Sequence, residues 1–317
     1  MAVVEKIVVV TKKTALEELV ERLNTREQAR FYIEHMNEAF DEYEAAHDAY
    51  HAALSRLQGS MPDGVRVQYI ERSFLPSFVF GKEDLVVTLG PDGLVVNTAK
   101  YLDCQKLLAI NPDPLRMDGV LIPVRIDAAH IVLKYAVADS IPVRSITMAL
   151  ATMNDGQSLY ALNDFFIGHR SHVSARYRIT LGGLTENQSS SGVIVATGAG
   201  STGWYRSLMT GAANIVGSVM SDTKAKAAAL EVATSYEFDP EAACLKFCVR
   251  EPFISRISQA TLIHGEIPRG EKLAITSQMP QGGVIFSDGI EADYLEFNSG
   301  LTATVEVADR RLNLLAF

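Results

Sequence analysis

The sequence predicts an α/β N-terminal domain followed by a β-rich C-terminal domain. Over the first third of the 317 residues, strand-like apolar runs alternate with helical patterns. After Ile126, short strand-like runs follow one another, separated by glycine, serine, asparagine or proline. The first pattern indicates a parallel sheet covered by helices, and the second indicates a β-domain. We therefore predict domains at 1–126 and 127–302, with the tail 303–317 completing the first domain.

The N-terminal domain is predicted to contain a Rossmann-like parallel sheet. Its strands are the apolar runs 7–10, 65–70, 85–89 and 106–111. A long helical pattern runs from Arg26 to Leu57, with apolar residues alternately four and three positions apart, a spacing that lines one helix face. We interpret this face as covering the sheet, with a dimer seam as the alternative. His47 within it is interpreted as a packing residue rather than a ligand.

Composition limits the partners and the compartment. The formal charge of −9 argues against nucleic acid, which needs clustered lysine and arginine. The chain starts without the basic lead and apolar core of a signal peptide, and no apolar run reaches membrane-spanning length. Cys104, Cys244 and Cys248 lack metal-ligand spacing, so we expect free thiols and assign no metal-ligating residues. These features predict a cytoplasmic protein with no membrane partner.

The first candidate site is the turn Gly90-Pro91-Asp92-Gly93, which directly follows the apolar run 85–89. Glycine lets a backbone turn sharply and lets a phosphate approach the amides. A carboxylate at such a position can act as a general base. Asp-Gly is also a common turn pair, so an ordinary turn is the alternative.

The second candidate site is the small-residue loop 198–203 between an apolar strand and a helix. Such a loop presents free amides, two hydroxyls and a helix N-terminus to one place, which suits phosphate or ribose hydroxyls. The alternative is a simple helix cap made by Ser201 or Thr202. The loop lacks the Gly-Lys-Ser/Thr of a Walker A motif.

The third candidate is the pair Asn163-Asp164, which interrupts a predicted strand over 158–167. At least one of these side chains should point inward, where it needs a hydrogen-bond partner. A bound ribose or adenine edge would provide that partner, and a β-bulge or turn is the competing explanation.

In combination, the three segments resemble the NAD kinase family. That family pairs a Gly-Gly-Asp-Gly turn, an Asn-Glu pair and a Thr-Gly-Ser-Thr loop in this order. Its mitochondrial-type branch is the most similar, over roughly 84–305. Further segments similar to that branch are Asn111-Pro112-Asp113-Pro114, Ser190-Ser191-Gly192, Trp204, Arg250-Glu251-Pro252 and Glu296-Phe297-Asn298.

The resemblance implies an activity and its participants. NAD kinases transfer a phosphoryl group from ATP, or in some members polyphosphate, to the 2′-hydroxyl of the adenosine ribose of NAD. The reaction usually needs Mg²⁺ or another divalent cation carried with ATP. The family fold is an α/β domain plus a β-rich domain with the active site between them. The resemblance also implies a homodimer or higher homo-oligomer.

The resemblance also implies roles for particular residues. Asp92 matches the acid that accepts the hydroxyl proton, and Asn163 and Asp164 match the pair that holds the NAD ribose, with Asp replacing the usual Glu. The other residues that match substrate- and nucleotide-binding positions are Gly90, Gly93, Asn111, Ser191, Gly200, Ser201, Thr202 and Trp204.

Departures from the family pattern keep two other hypotheses open. Pro91 replaces a glycine and removes one amide donor, and Ala199 lacks the usual threonine hydroxyl. A non-catalytic NAD or nucleotide sensor with a degenerate kinase fold would explain both. A lipid or sugar kinase sharing the Gly-Asp turn is disfavoured, since no membrane-facing segment is visible and Asn163-Asp164 fits NAD kinases better.

Overall fold

The computed structural model describes residues 4–220, 224, 226–228, 231, 236–291 and 293–317, which group into two compact units. Unit 1 extends to Arg144 and includes the tail Leu312–Phe317, and unit 2 is Ser145–Arg311. No helix within these described ranges combines the length and apolarity needed to cross a membrane.

The α-helices are α1 (Ala15–Leu23), α2 (Arg26–His35), α3 (Phe40–Gly59), α4 (Asp92–Ala99), α5 (Ala129–Val137) and α6 (Trp204–Val219). Short 3₁₀ helices occupy Arg72–Ser77, Ile126–Ala128 and Ala199–Thr202.

The strands of the first half of the chain are β1 (Lys6–Thr11), β2 (Arg66–Glu71), β3 (Asp84–Leu89), β4 (Lys106–Asn111), β5 (Val124–Arg125), β6 (Val143–Met153) and β7 (Ser158–Ala161). The later strands are β8 (Asp164–His169), β9 (Ala175–Leu181), β10 (Leu184–Ser190), β11 (Val193–Ala196), β12 (Cys244–Val249), β13 (His264–Pro268), β14 (Leu273–Ser277), β15 (Gly283–Ser287), β16 (Tyr294–Glu296) and β17 (Thr302–Leu315).

Unit 1 is built on a parallel sheet in the order β2-β1-β3-β4, followed by the end of β17. Strand β3 is buried at every position, as expected for an interior strand of a parallel sheet. One face packs on α3 through Tyr50, Ala53 and Leu57, and on α5 through Val132 and Leu133. The predicted parallel sheet is therefore confirmed.

The predicted helix from Arg26 to Leu57 is wrong as a single element. The structure breaks it into α2 and α3 at residues 36–39, where Asn37 has a φ of 58°. Asparagine tolerates this left-handed conformation better than most residues. The amides of Asn37 and Glu38 donate to carbonyls at the end of α2, so the helix terminus is satisfied. The later part of the stripe, from Tyr50 to Leu57, covers the sheet, whereas Phe40 packs with α1 and α2.

Unit 2 contains two antiparallel sheets packed around one core. The first has the order β10-β9-β14-β17 with β6 and β7 added, and the second has the order β13-β12-β11-β8-β15-β16. Side chains from both sheets, including Tyr177, Ile275, Phe165 and Phe247, fill the space between them. The predicted β-rich C-terminal domain is confirmed.

The two units divide at Arg144, which lies later in the chain than the predicted boundary at residue 126. Helix α5 explains the difference, because its apolar side chains belong to the core of unit 1. The tail also returns to unit 1 later than predicted, at Leu312. Asn313 and Leu314 pair there with the start of β4.

The predicted strand 158–167 is wrong as a single strand, because β7 ends at Ala161 and β8 begins at Asp164 in the other sheet. The polar pair Asn163-Asp164 marks this crossing between sheets. Side chains alternate along β8, so Phe165 and Ile167 enter the core while Phe166 faces α6.

Candidate functional site

In unit 1, the Asp92 carboxylate forms hydrogen bonds with the loop around Val120 and Leu121. Asp92 is the first residue of α4, after Pro91 at the N-cap. One carboxylate oxygen accepts the Val120 backbone N–H at 2.9 Å, and the other accepts that of Leu121 at 3.1 Å. A Cβ at Gly119 would lie 2.6 Å from the carboxylate, so only glycine permits this approach.

The pKa of Asp92 lies above its usual value because burial disfavours the charged form, and this outweighs the opposing effect of the two N–H donors. A raised pKa makes the ionised carboxylate a stronger base. Two hydrogen bonds leave part of its acceptor capacity available, because a carboxylate offers about four lone-pair sites.

The two glycines of the turn differ in their surroundings. A Cβ at Gly90 would lie 2.9 Å from the end of the Leu94 side chain, a contact that a flexible group can relieve. A Cβ at Gly93 would have nothing within 4 Å. Packing thus gives no reason for glycine at position 93, and the space beside it is open at the N-terminus of α4.

The amide side chain of Asn111 organises the loop that follows β4. Its Nδ2 donates to the Met117 carbonyl, and its Oδ1 accepts the Asp113 backbone N–H, both at 2.9 Å. Asp113 in turn pairs with Arg116 at 2.7 Å. Both polar atoms of this predicted site residue are thus engaged within the loop.

In unit 2, Asn163 and Asp164 are held by a third residue, Asp288. Its carboxylate accepts the backbone N–H groups of Leu162 at 3.2 Å, Asn163 at 2.7 Å and Asp164 at 3.3 Å. Asp288 has a φ of 57° and donates its own N–H to the Asp164 carbonyl at 2.9 Å. These hydrogen bonds fix the backbone where the chain crosses from β7 to β8.

Burial, and then the charge of Asp288, raise the pKa of Asp164 to about 7. The residue is 8% exposed. Among the described residues, no donor forms a hydrogen bond with its carboxyl group. A carboxyl in this position can accept or donate a hydrogen bond near neutral pH, which suits a hydroxyl ligand.

The small-residue loop packs directly against this crossing. A Cβ at Gly200 would lie 2.0 Å from the Asn163 carbonyl oxygen, and one at Gly198 would lie 2.1 Å from that of Asp239. The Thr197 N–H donates to the Asn163 carbonyl at 2.9 Å. Glycine at positions 198 and 200 is therefore explained by close backbone packing within the protein.

The hydroxyls of the loop do not cap α6, so the simple capping alternative is wrong. The N-cap of α6 is Gly203, with no side-chain cap. Ser201 is buried and its hydroxyl donates to the Gly198 carbonyl at 2.7 Å, while Thr202 is exposed. The first N–H groups of a helix lack partners within it, so this end of α6 can bind an anion.

A pocket of ≈ 540 Å³ lies at the start of α6, against the sheet face that carries Phe166. Trp204 stacks on Phe166 with ring centroids 5.7 Å apart, and the Arg250 guanidinium lies 5.0 Å from the Trp204 ring. Ser191 lines the same pocket and its hydroxyl donates to the Glu251 carboxylate. The pocket thus combines flat apolar walls with charges of both signs, the guanidinium groups of Arg170 and Arg250 and the carboxylates of Glu251 and Glu291.

The structure groups the predicted residues unit by unit. In unit 1, Gly90 and Asp92 follow β3, and Asn111 is the last residue of the adjacent parallel strand β4. In unit 2, Asn163 lies against Gly200, and Ser191 and Trp204 share the pocket.

Sequence reasoning missed Asp288 and Phe166, and it named Arg250 only within a segment similar to the family, without a role in the site. An Asp-Gly turn signal after the apolar run 283–287 marks Asp288, but nothing local indicates its distant partners.

Replacing Gly200 with alanine should destabilise unit 2, because the new Cβ would collide with the Asn163 backbone. We expect a loss of about 1–3 kcal/mol in the free energy of unfolding, the usual range for forced overpacking. Denaturant unfolding of the variant measures it. Gly211→Ala in α6 is the matched control, because its Cβ would meet nothing within 4 Å and alanine favours helices. Equal stability of the two variants would contradict the packing described above.

No protein-family model matches the chain, and no curated protein matches it in sequence. Two solved structures match it in fold at 17% identity. An NAD kinase from Archaeoglobus fulgidus in complex with ATP has a TM-score of 0.56 over 98% of this chain and 93% of that one. Yeast NADH kinase complexed with NADH has a TM-score of 0.59 over 98% of this chain and 83% of that one. The chain therefore has the fold of the NAD and NADH kinases.

Proposed function

We propose that the chain is an NAD kinase, which transfers a phosphoryl group from ATP or polyphosphate to the 2′-hydroxyl of the adenosine ribose of NAD. The observation that carries this proposal is the buried Asp164 carboxyl beside the Gly200 loop, with no protein donor among the described residues. The NAD kinase-like fold and the ordered motifs support it.

Unit 2 is proposed to bind NAD. Asn163 and Asp164 would hold the ribose hydroxyls, and the free N–H groups at the start of α6 would bind phosphate oxygens. The stacked pair Phe166–Trp204 offers a flat apolar surface for one ring of the dinucleotide. Arg250 beside it supplies positive charge that suits the pyrophosphate.

Unit 1 is proposed to supply the general base and to bind the phosphoryl donor. Asp92 would accept the proton of the 2′-hydroxyl as the bond to phosphorus forms. The open space beside Gly93 would admit donor phosphates to the N-terminus of α4. Phosphoryl transfer depends mainly on positioning and charge stabilisation, so few protein groups are needed.

The divalent cation enters this proposal with ATP. Mg²⁺ prefers oxygen ligands and is usually held by substrate phosphates with one or two carboxylates. The described residues bring no three carboxylates together, and the cluster of three possible ligands that they do form includes two histidines. We therefore assign the cation to the ATP phosphates, with no site built from protein groups alone.

Incubation of the purified chain with NAD, Mg²⁺ and either ATP or polyphosphate should yield NADP, measured by chromatography. A parallel reaction with NADH in place of NAD tests whether the oxidised or the reduced dinucleotide is the better acceptor. An NAD analogue with a 2′-deoxy adenosine ribose is the matched control and should remain unphosphorylated. A folded chain that gives no NADP or NADPH with either donor would contradict the proposal.

A non-catalytic NAD sensor is the second candidate. It is favoured by the engagement of both Asp92 oxygens with backbone amides and by the missing N–H of Pro91. NAD binding measured by calorimetry, without turnover in the assay above, would support the sensor.

A further inference from the structure

Three potential metal ligands meet between α1 and α3, in unit 1. His47 and His51 are four residues apart on α3, so they share one face, and their ring centroids are 4.3 Å apart. Glu17 of α1 faces them, and its Oε1 lies 3.1 Å from His51 Nε2. One ligand atom from each residue lies within 4.8 Å of the other two.

These distances approach those of a bound transition metal. Ligand atoms around a tetrahedral zinc ion lie about 3.4 Å apart, because each bond is about 2.0–2.2 Å long. The 3.1 Å between Glu17 Oε1 and His51 Nε2 is slightly shorter than this separation.

Neighbouring hydrogen bonds orient two of the three ligands. Thr14 and Glu17 form a capping box at the start of α1, in which Glu17 Oε2 accepts the Thr14 N–H at 2.7 Å. This leaves Oε1 directed at His51. The Thr14 hydroxyl oxygen lies 2.9 Å from His47 Nδ1, so that Nδ1–H donating to it would leave a lone pair on Nε2. Metal-binding histidines commonly have such an oxygen partner.

The surrounding charges also suit a cation. The cluster adjoins a pocket of ≈ 400 Å³. The positive side chains lining that pocket have their own acidic partners, Lys13 with Glu21 and Arg26 with Glu44.

We propose that Glu17, His47 and His51 form a binding site for a divalent transition-metal ion of the zinc class, completed by water. Two imidazoles and one carboxylate are a donor set that zinc uses with a fourth, water-occupied position. The ion would link α1 to α3, and α3 packs on the sheet of unit 1. This revises the sequence-based interpretation of His47 as a packing residue only. It does not depend on the proposed kinase activity.

Titration of the whole chain with Zn²⁺ alone, followed by calorimetry, should reveal a site that Mg²⁺ does not occupy, since Mg²⁺ prefers oxygen ligands. His47→Gln and His51→Gln should each weaken zinc binding about tenfold or more, because loss of even an orienting partner costs that much. Saturating Zn²⁺ should also raise the melting temperature, and EDTA should reverse the rise.

Two further variants make the test specific. Glu17→Gln keeps a capping-box acceptor but removes the negative ligand, so zinc affinity should fall while metal-free stability stays near that of the wild type. His130→Gln changes an exposed histidine on α5 and should leave zinc binding unchanged. The proposal would be overturned if the wild type bound no zinc. It would also be overturned if the His47 and His51 variants bound zinc as tightly as the wild type.

Discussion

Replacing Asp92 with asparagine should lower the rate of NADP formation by about 10²–10⁴-fold, the usual contribution of a general base. NAD affinity should stay within about tenfold, because unit 2 is proposed to supply the groups that bind NAD. Steady-state kinetics and direct titration with NAD measure the two effects separately. A drop in turnover with little change in binding is the result expected for a group that acts only in the transition state.

The loop contacts of Asp92 make the choice of substitution important. Asparagine keeps an acceptor oxygen for one of the Val120 and Leu121 amides and turns its NH₂ toward the other, whereas alanine keeps neither acceptor. Asp92→Ala should therefore also lose about 1–2 kcal/mol of stability from amides left without a partner. Comparing the two variants separates the chemical role from the structural one.

Gly119→Ala is a second control for the same contact. Its Cβ would lie 2.6 Å from the Asp92 carboxylate and 2.2 Å from Ile122, so it disturbs the loop while the acid remains. If Asp92→Asn retains normal turnover, the base is elsewhere. If Asp92→Asn and Gly119→Ala reduce turnover by the same factor and lower the melting temperature by the same amount, Asp92 acts by holding the loop rather than as a base.

The parallel sheet could be predicted because each of its interior strands is a continuous apolar run. The observed β3 and β4 span Asp84–Leu89 and Lys106–Asn111, which are the predicted runs within one residue. The break between α2 and α3 was not predictable from periodicity. Met36 and Phe40 keep the four-residue spacing across the break, so the stripe continues although the helix ends.

The candidate site was predicted only as separate local segments. The sequence identifies Asn163-Asp164 and the loop around Gly200, but their contact depends on the antiparallel pairing of β8 with β11. Asp288, which holds the first segment, lies 124 residues from Asp164. Such long-range pairs leave no pattern in a single sequence. The binding roles of the site residues, the phosphoryl donor and the oligomeric state stay predictions.

Asp164→Asn should stabilise the protein at pH 8 by about 2–4 kcal/mol relative to the wild type. Burial beside Asp288 raises the pKa of Asp164 to about 7, against 3.8 for an unperturbed carboxyl. Between about pH 4 and pH 7 the folded state keeps a proton that the unfolded state releases. Stability of the wild type therefore falls as the pH rises through this window, by about 1.4 kcal/mol per unit, and levels off above it.

Asparagine has nearly the same shape and stays neutral, so the variant should not show this loss. The difference in unfolding free energy should be small near pH 4 and grow up to pH 8, as measured by denaturant unfolding across the range. Asp155→Asn is the control, because Asp155 is an exposed carboxyl in a turn of the same unit, with a lowered pKa. Its substitution should give no stabilisation that grows with pH.

The same variant should bind NAD more weakly, by about ten- to a hundredfold at pH 8, because a hydrogen bond to a charged group contributes about 1.5–3 kcal/mol. If one substitution raises stability and lowers ligand affinity, the original residue serves binding rather than folding. If Asp164→Asn is instead less stable than the wild type at pH 8, the carboxylate has a stabilising partner in the free protein. The buried acid would then be part of the fold, and the proposal for NAD binding would lose the observation that carries it.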